Sequence, residues 1–190
     1  MKDIAIARVE AKDASFLSEV ALKAYADHYL HLWHDGGLWY MNKFFAVEQL
    51  ASEINNQNSR FYIAFFKGTP VGFLKINIHA SLNGFEDKNA LELERIYLNK
   101  QATGKGIGRE LVDLTFKIAA ENNKNIVWLK AMDTSNGPIA FYKKMGFEIK
   151  GTHRLKHPLM KEDLRGMVVM IKELTANTIS NFRSGQNNIF

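Results

Sequence analysis

A chain of 190 residues, 46% hydrophobic and 24% charged, has the length and balance of one globular domain with a sizeable core. It contains no cysteine, which excludes disulfides, a thiolate nucleophile and a zinc–thiolate site. The formal charge of +5 (25 basic, 20 acidic) is interspersed, with no basic stripe or nucleic-acid motif, and no apolar run of about 18 residues marks a membrane span.

The first residues include Asp3 and no apolar stretch of the secretory kind, so a cytoplasmic protein is expected. Residues 4–10 (IAIARVE) alternate as a half-buried strand does. Asp13 is the expected N-cap of a helix carrying Phe16, Leu17, Val20 and Ala24 on its inner side. Residues 27–45 are dense in His, Trp, Tyr and Phe around Gly36 and Gly37, and AVEQLASEIN reads as a second short helix. RFYIAFF and VGFLKINIH, joined by KGTP, predict a β-hairpin with Gly68 and Pro70 in the turn. A strand over 91–98 leads through glycines into a helix over 106–122, with Ile107, Leu111, Leu114 and Ile118 on one face. NIVWLKAM is an apolar strand, and SNGPIAFYKKMGF a helix with Asn136 as N-cap, Pro138 in the first turn and Gly146 as its stop. Strands near EIKGTHRL and GMVVMIKEL close the order β-α-α-β-β-β-α-β-α-β-β, a mixed sheet flanked by helices. Residues 1–174 are read as one domain and the polar 175–190 as a loosely docked tail.

Gly104, Gly106 and Gly108 fall at every second position where strand hands over to helix. Such a turn presents bare N–H groups at a helix N-terminus, where an anion can sit. Lys105 does not occupy the lysine position of a GxxxxGK[ST] loop, and Arg109 stands where GxGxxG requires glycine. Lys105 and Arg109 add positive charge, and a plain turn would not need the entropy cost of three glycines. A pyrophosphate would use both the amides and the charges.

ERIYLNKQATGKGIGREL, followed by NGPIAFYKKMGF, resembles the two core motifs of the GCN5-related N-acetyltransferases (GNAT), over residues 91–150 in motif and 4–174 in element order. The resemblance implies a mixed, mostly antiparallel α/β (α+β) sheet and acetyl-CoA as cosubstrate. Its pantetheine arm would pair with the backbone of Ile96, Tyr97 and Leu98, and its pyrophosphate would sit on Thr103, Gly104, Lys105, Gly106, Ile107, Gly108 and Arg109. The family pattern [RQ]xxGx[GA] places its first position on Thr103, a departure that leaves the phosphates to backbone amides, Lys105 and Arg109; Gln101 would match only in a frame shifted by two residues. By the same resemblance Asn136 bonds the CoA arm, Phe141 packs against it, Lys144 approaches a phosphate, and Tyr142 is the general acid.

Acetyl transfer to an ammonium needs a proton acceptor, because the amine is no nucleophile until deprotonated. Glu92 and Glu94 are two apart on the strand, which predicts one shared face together with Ile96 and Leu98. Glu94 matches the base of polyamine acetyltransferases and is the first choice; Glu92 matches that of histone-acetylating relatives. With no cysteine to carry an acetyl group, direct transfer is expected. His28, His31 and His34 recur every third residue but lack a supporting metal motif, so no metal is expected. Their neighbourhood is read as an aromatic acceptor wall, with Asp27, Trp33, Asp35 and Trp39 as substrate contacts.

LELERIYL, IAFYKKMGF and the GTH that follows resemble the PaiA-type branch, which implies spermidine or spermine as acceptor. A protein or peptide amine is the alternative, and a CoA-sensing binding protein with weak turnover is a reading from another class. The expected partner is a small amine, with neither nucleic acid nor membrane; a homodimer is left open.

Overall fold

The computed structural model describes residues 3–86 and 89–183. Seven strands, β1 (Ile4–Arg8), β2 (Ser59–Phe66), β3 (Thr69–Asn77), β4 (Ala90–Leu98), β5 (Ile126–Met132), β6 (Glu148–Arg154) and β7 (Gly166–Glu173), form one sheet in the order β1-β2-β3-β4-β5-β7-β6. All neighbours are antiparallel except β4 and β5, which the crossover helix α4 (Ile107–Glu121) makes parallel. The mixed, mostly antiparallel α/β architecture is the expected one.

One face of the sheet is covered by α4, α5 (Asn136–Lys144) and α6 (Ala176–Arg183), the other by α1 (Ala14–Ala26), α2 (Leu38–Phe44) and α3 (Val47–Asn55). The helical spacing of Ile107 and Leu111 places both in the core with no exposed surface, each worth about 1.5–3 kcal/mol of burial. On α1, Leu17, Val20 and Ala24 are buried, but Phe16 is 40% exposed and stacks on Phe65, because it lies a residue off the inward stripe.

Several local expectations are corrected. Asp13 is the N-cap residue of α1 as expected, but its side chain makes no bond to that helix and accepts instead from the Glu10 N–H at 3.0 Å. Pro70 lies within β3, opposite Phe65, and the turn is Lys67-Gly68. Ser135 is the N-cap of α5, with Asn136 its first residue. The aromatic stretch contains α2, unseen in the sequence because Trp, Tyr and Phe surround it on every side. Residues 176–183 form α6, docked by Ile179 and Phe182; Phe182 meets Phe116 at 5.8 Å between ring centres. The rest of the expected tail, residues 184–190, lies outside the described residues. Among the described residues no helix is long and apolar enough to cross a membrane.

Two irregularities in β4 create the site. Lys75 pairs with Arg95 and the next residue, Ile76, with Leu93, so Glu94 is an extra residue in a β-bulge. The bulge reverses the alternation. Leu91, Leu93, Ile96 and Leu98 join the core under α4, while Tyr97 belongs to the opposite core under α1. The two glutamates therefore do not share a face with Ile96 and Leu98: simple period-two counting fails across the extra residue. Secondly, β4 pairs with β5 only through Ala90, Leu91 and Glu92, and the two strands part beyond that point.

Candidate active site

Where β4 and β5 separate, a cavity of about 310 Å³ opens. Leu93, Ile96 and Tyr142 reach it from the α4–α5 side, and Glu92, Glu94 and Trp33 from the side of α1 and α2. A donor arriving on one side and an acceptor on the other would meet in the gap.

On the donor side, β3 uses one edge of β4, but beyond Glu92 the other edge has no strand partner among the described residues. Its N–H and C=O groups are free to pair with an extended ligand. The strand ends in a short turn over Lys100–Ala102, fixed by the Asn99 side chain accepting from the Ala102 N–H at 3.2 Å. Gly106 (φ +79°) then caps α4 with no side-chain hydrogen bond to the helix N-terminus. Nothing lies within 4 Å of where a Cβ would stand on Gly104 or Gly106, so these glycines are required by their left-handed backbone and leave open space beside it. The first-turn N–H groups of α4 face a place for an anion, with the helix dipole behind them. Gly108 is different: a Cβ there would meet Phe141 at 3.4 Å, so it permits α5 to pack against α4.

The carboxylates differ in their surroundings. Glu94 is bound by Lys75 Nζ at 2.6 Å, an Arg95 nitrogen at 2.9 Å and Asn77 Nδ2 at 2.7 Å. Lys75 and Arg95 also bind Glu53, at 2.8 and 3.2 Å, completing a quartet of two cations and two anions. Burial pushes the Glu53 pKa upward, but Arg95 and Lys75 outweigh it and hold it below the usual range. Among the described residues Glu92 accepts from Asn77 Nδ2 alone, at 2.9 Å; its pKa is raised, by burial first and then, against the Asn77 bond, by the Glu94 charge. Glu92 thus carries the raised pKa and holds no cation among the described residues, whereas Glu94, the first choice from sequence, is engaged by Lys75, Arg95 and Asn77.

Tyr142 projects from α5 into the cavity, with its ring edge-on to Phe147 at 5.7 Å. Burial raises its pKa well above the usual tyrosine range, so the hydroxyl stays protonated and can donate.

Residues 19–147 match the model of the acetyltransferase (GNAT) family. The chain belongs to that family. It is therefore an acetyl-CoA-dependent N-acetyltransferase. It is 28% identical over 150 residues (77% of this chain, 85% of the relative) to an N-acetyltransferase from the pepI 3′ region of Lactobacillus delbrueckii subsp. lactis. It is also 28% identical over 155 residues (78% and 91%) to a spermidine N(1)-acetyltransferase of Thermoplasma acidophilum. The crystal structure of the Thermoplasma acidophilum PaiA N-acetyltransferase in complex with coenzyme A shares the fold with a TM-score of 0.71 at 24% identity, covering 90% of this chain and 98% of that one.

Within this GNAT fold the expected site residues separate. Glu92, Glu94, Ile96, Tyr97, Trp33 and Tyr142 line the cavity together. Thr103, Lys105, Ile107 and Arg109 belong to the turn and helix start beyond it; the Lys105 ammonium sits 5.8 Å from the Phe66 ring centre and Arg109 faces Asp113 at 3.6 Å. Phe141 is packed near Gly108 and Leu98, whereas Asn136 and Lys144 are exposed and outside the cavity lining.

The acidic acceptor contacts are corrected. Asp27 accepts from the Lys100 N–H at 2.9 Å, tying the end of α1 to the turn after β4. Asp35 accepts from the N–H groups of Gly37 at 2.9 Å and Trp39 at 2.7 Å, which caps the start of α2. Neither lines the cavity, and Trp39 stands behind it, its ring 3.7 Å from that of His157. Trp33 is in the wall, its indole N–H bonded to the Tyr25 hydroxyl at 2.7 Å, and Tyr25, Tyr29 and Tyr40 extend the aromatic surface. His28, His31 and His34 are exposed, and among the described residues no group of three or more His, Asp or Glu is placed to hold a metal.

Sequence reading missed Lys75, Asn77 and Arg95. A lysine inside the apolar run VGFLKINI was the available signal, since such a lysine is buried only with a partner.

Proposed function

We propose that the chain acetylates a primary amine by direct transfer from acetyl-CoA, with Glu92 as proton acceptor and Tyr142 as proton donor. One observation carries this reading: the gap between β4 and β5 brings Glu92 and Tyr142 from opposite faces of the sheet into one cavity. The open edge of β4 fits an extended pantetheine arm, and the uncapped start of α4, flanked by Lys105 and Arg109, fits a pyrophosphate.

Glu92 removes a proton from the incoming ammonium, and the nitrogen lone pair attacks the thioester carbonyl carbon. As the C–S bond breaks, Tyr142 gives its proton to the sulfur and recovers one from the new amide nitrogen. The balance is ammonium plus acetyl-CoA to N-acetyl amide, coenzyme A thiol and one proton, which Glu92 releases to solvent. No acetyl-enzyme is needed, and the chain has no cysteine to form one.

The relatives named for spermidine and spermine support an oligoamine acceptor, and the aromatic wall offers faces for ammonium groups. Mass spectrometry of products from acetyl-CoA and a panel of primary amines tests the reading. Acetylated amine is expected; acetyl-CoA binding without product from any amine would overturn it in favour of a CoA-sensing role.

A further inference from the structure

A second cavity, of about 340 Å³, lies over β5, β7 and β6 and is walled by the β3–β4 connection. Trp128 forms part of its floor, held by its indole N–H donating to the Ala80 carbonyl at 2.9 Å. Lys130, Lys150 and His153 line it, and its described lining contains no Asp or Glu. Lys130 lines both cavities, so they meet at its side chain.

The Lys130 ammonium lies 5.3 Å from the Trp128 ring centre and, among the described residues, has no carboxylate within ion-pair distance. Lys150 is paired with Glu148 at 2.6 Å, an exposed contact that an incoming anion readily displaces. Burial and then the Lys130 charge hold the His153 pKa below its ordinary value, so the imidazole is neutral near pH 7 and donates through one N–H. Glu92 pairs with Trp128, and Lys130 with Val169 and through it Gly151. With strands ~4.8 Å apart and ~3.3 Å per residue, the Lys130 backbone is roughly 8 Å from Glu92 and that of Gly151 roughly 16 Å. An acceptor of two or more cationic ends finds little here: Asp27 and Asp35 are engaged by backbone, and Glu94 by Lys75 and Arg95.

We infer that the acceptor is a primary amine whose far end carries a carboxylate, the amine at Glu92 and the carboxylate among Lys130, His153 and Lys150. This rests on the acetyltransferase reading of the first cavity and replaces the oligoamine acceptor that the relatives' names support with an amino acid or peptide. At about 3.3–3.6 Å per extended residue, the span suits an ω-amino acid or a free peptide of three to four residues.

The test compares kcat/KM, with acetyl-CoA saturating, for chains of equal length: a linear diamine, an ω-amino acid, its amide and an ω-aminoalkyl phosphonate. The amino acid is expected to exceed both amide and diamine by about tenfold or more, as charge-assisted contacts imply. Lys130→Gln should erase the acid-over-amide ratio mainly through KM, and His153→Gln should reduce it, with circular dichroism unchanged. Equal rates for acid and amide, or a preference for the diamine, would overturn the inference while leaving the acetyltransferase reading intact. A phosphonate preferred over the carboxylate would overturn the carboxylate assignment. No product from any amine would overturn both readings.

Discussion

On the donor side of the cleft the groups left free belong to the main chain: the outer edge of β4 past Glu92 and the first-turn N–H groups of α4. On the acceptor side the working groups are side chains, and most already have partners: Glu94 with Lys75 and Arg95, Trp33 with Tyr25, Asp35 with the start of α2. A backbone-built half should be sensitive to conformation and tolerant of side-chain truncation. A side-chain-built half should respond to the loss of single polar atoms.

The largest expected effect sharpens that contrast. Glu92→Gln keeps the shape and removes the proposed base, and should lower kcat by about 10²–10⁴-fold in steady-state assays. If Glu94→Gln is instead the crippling change and Glu92→Gln mild, the assignment of the two carboxylates is inverted. Gly106→Val tests the donor half: a β-branched residue at φ +79° is strained by about 1–3 kcal/mol, so acetyl-CoA affinity should fall about 10–100-fold in calorimetry. Unchanged affinity would show that the α4 N-terminus is not the phosphate site. Tyr142→Phe removes one hydroxyl; kcat should fall about tenfold with acetyl-CoA affinity nearly unchanged, less than for Glu92→Gln because a coenzyme A thiolate leaves readily. Glu94→Gln should cost only a few-fold in rate but about 1–3 kcal/mol in denaturant stability, since Lys75 and Arg95 each lose a partner.

The pH profile is the finest test. In the proposed mechanism the deprotonated form of Glu92 is active, and its pKa is raised, so kcat should rise with pH through a value above the ordinary glutamate range. The same mechanism needs Tyr142 protonated, and its pKa is raised too, so loss of activity should begin only above the ordinary tyrosine range. A single rise at the ordinary glutamate value would point to a solvated base elsewhere.

The same contrast explains what could be read beforehand. Glycine at 104 and 106 announces a backbone conformation directly, so the donor half was legible from residue identity and spacing. Sequence could not show that Asp27 spends an oxygen on the N–H of Lys100, 73 residues away, nor that Glu94 is an inserted residue opposite β3. Both depend on register and on chain brought from far away. Trp33, two residues before Asp35, does reach the wall because it is apolar enough to be buried there.

The three-residue contact between β4 and β5 has a further consequence. The sheet consists of a four-strand part and a three-strand part, held together along that seam by few main-chain hydrogen bonds. A donor molecule lying in the gap would act as an interposed strand, and its binding free energy would enter the protein's own cooperativity. Native-state hydrogen exchange at 129–132 should then slow when acetyl-CoA is added, and the melting temperature should climb with its concentration by simple mass action.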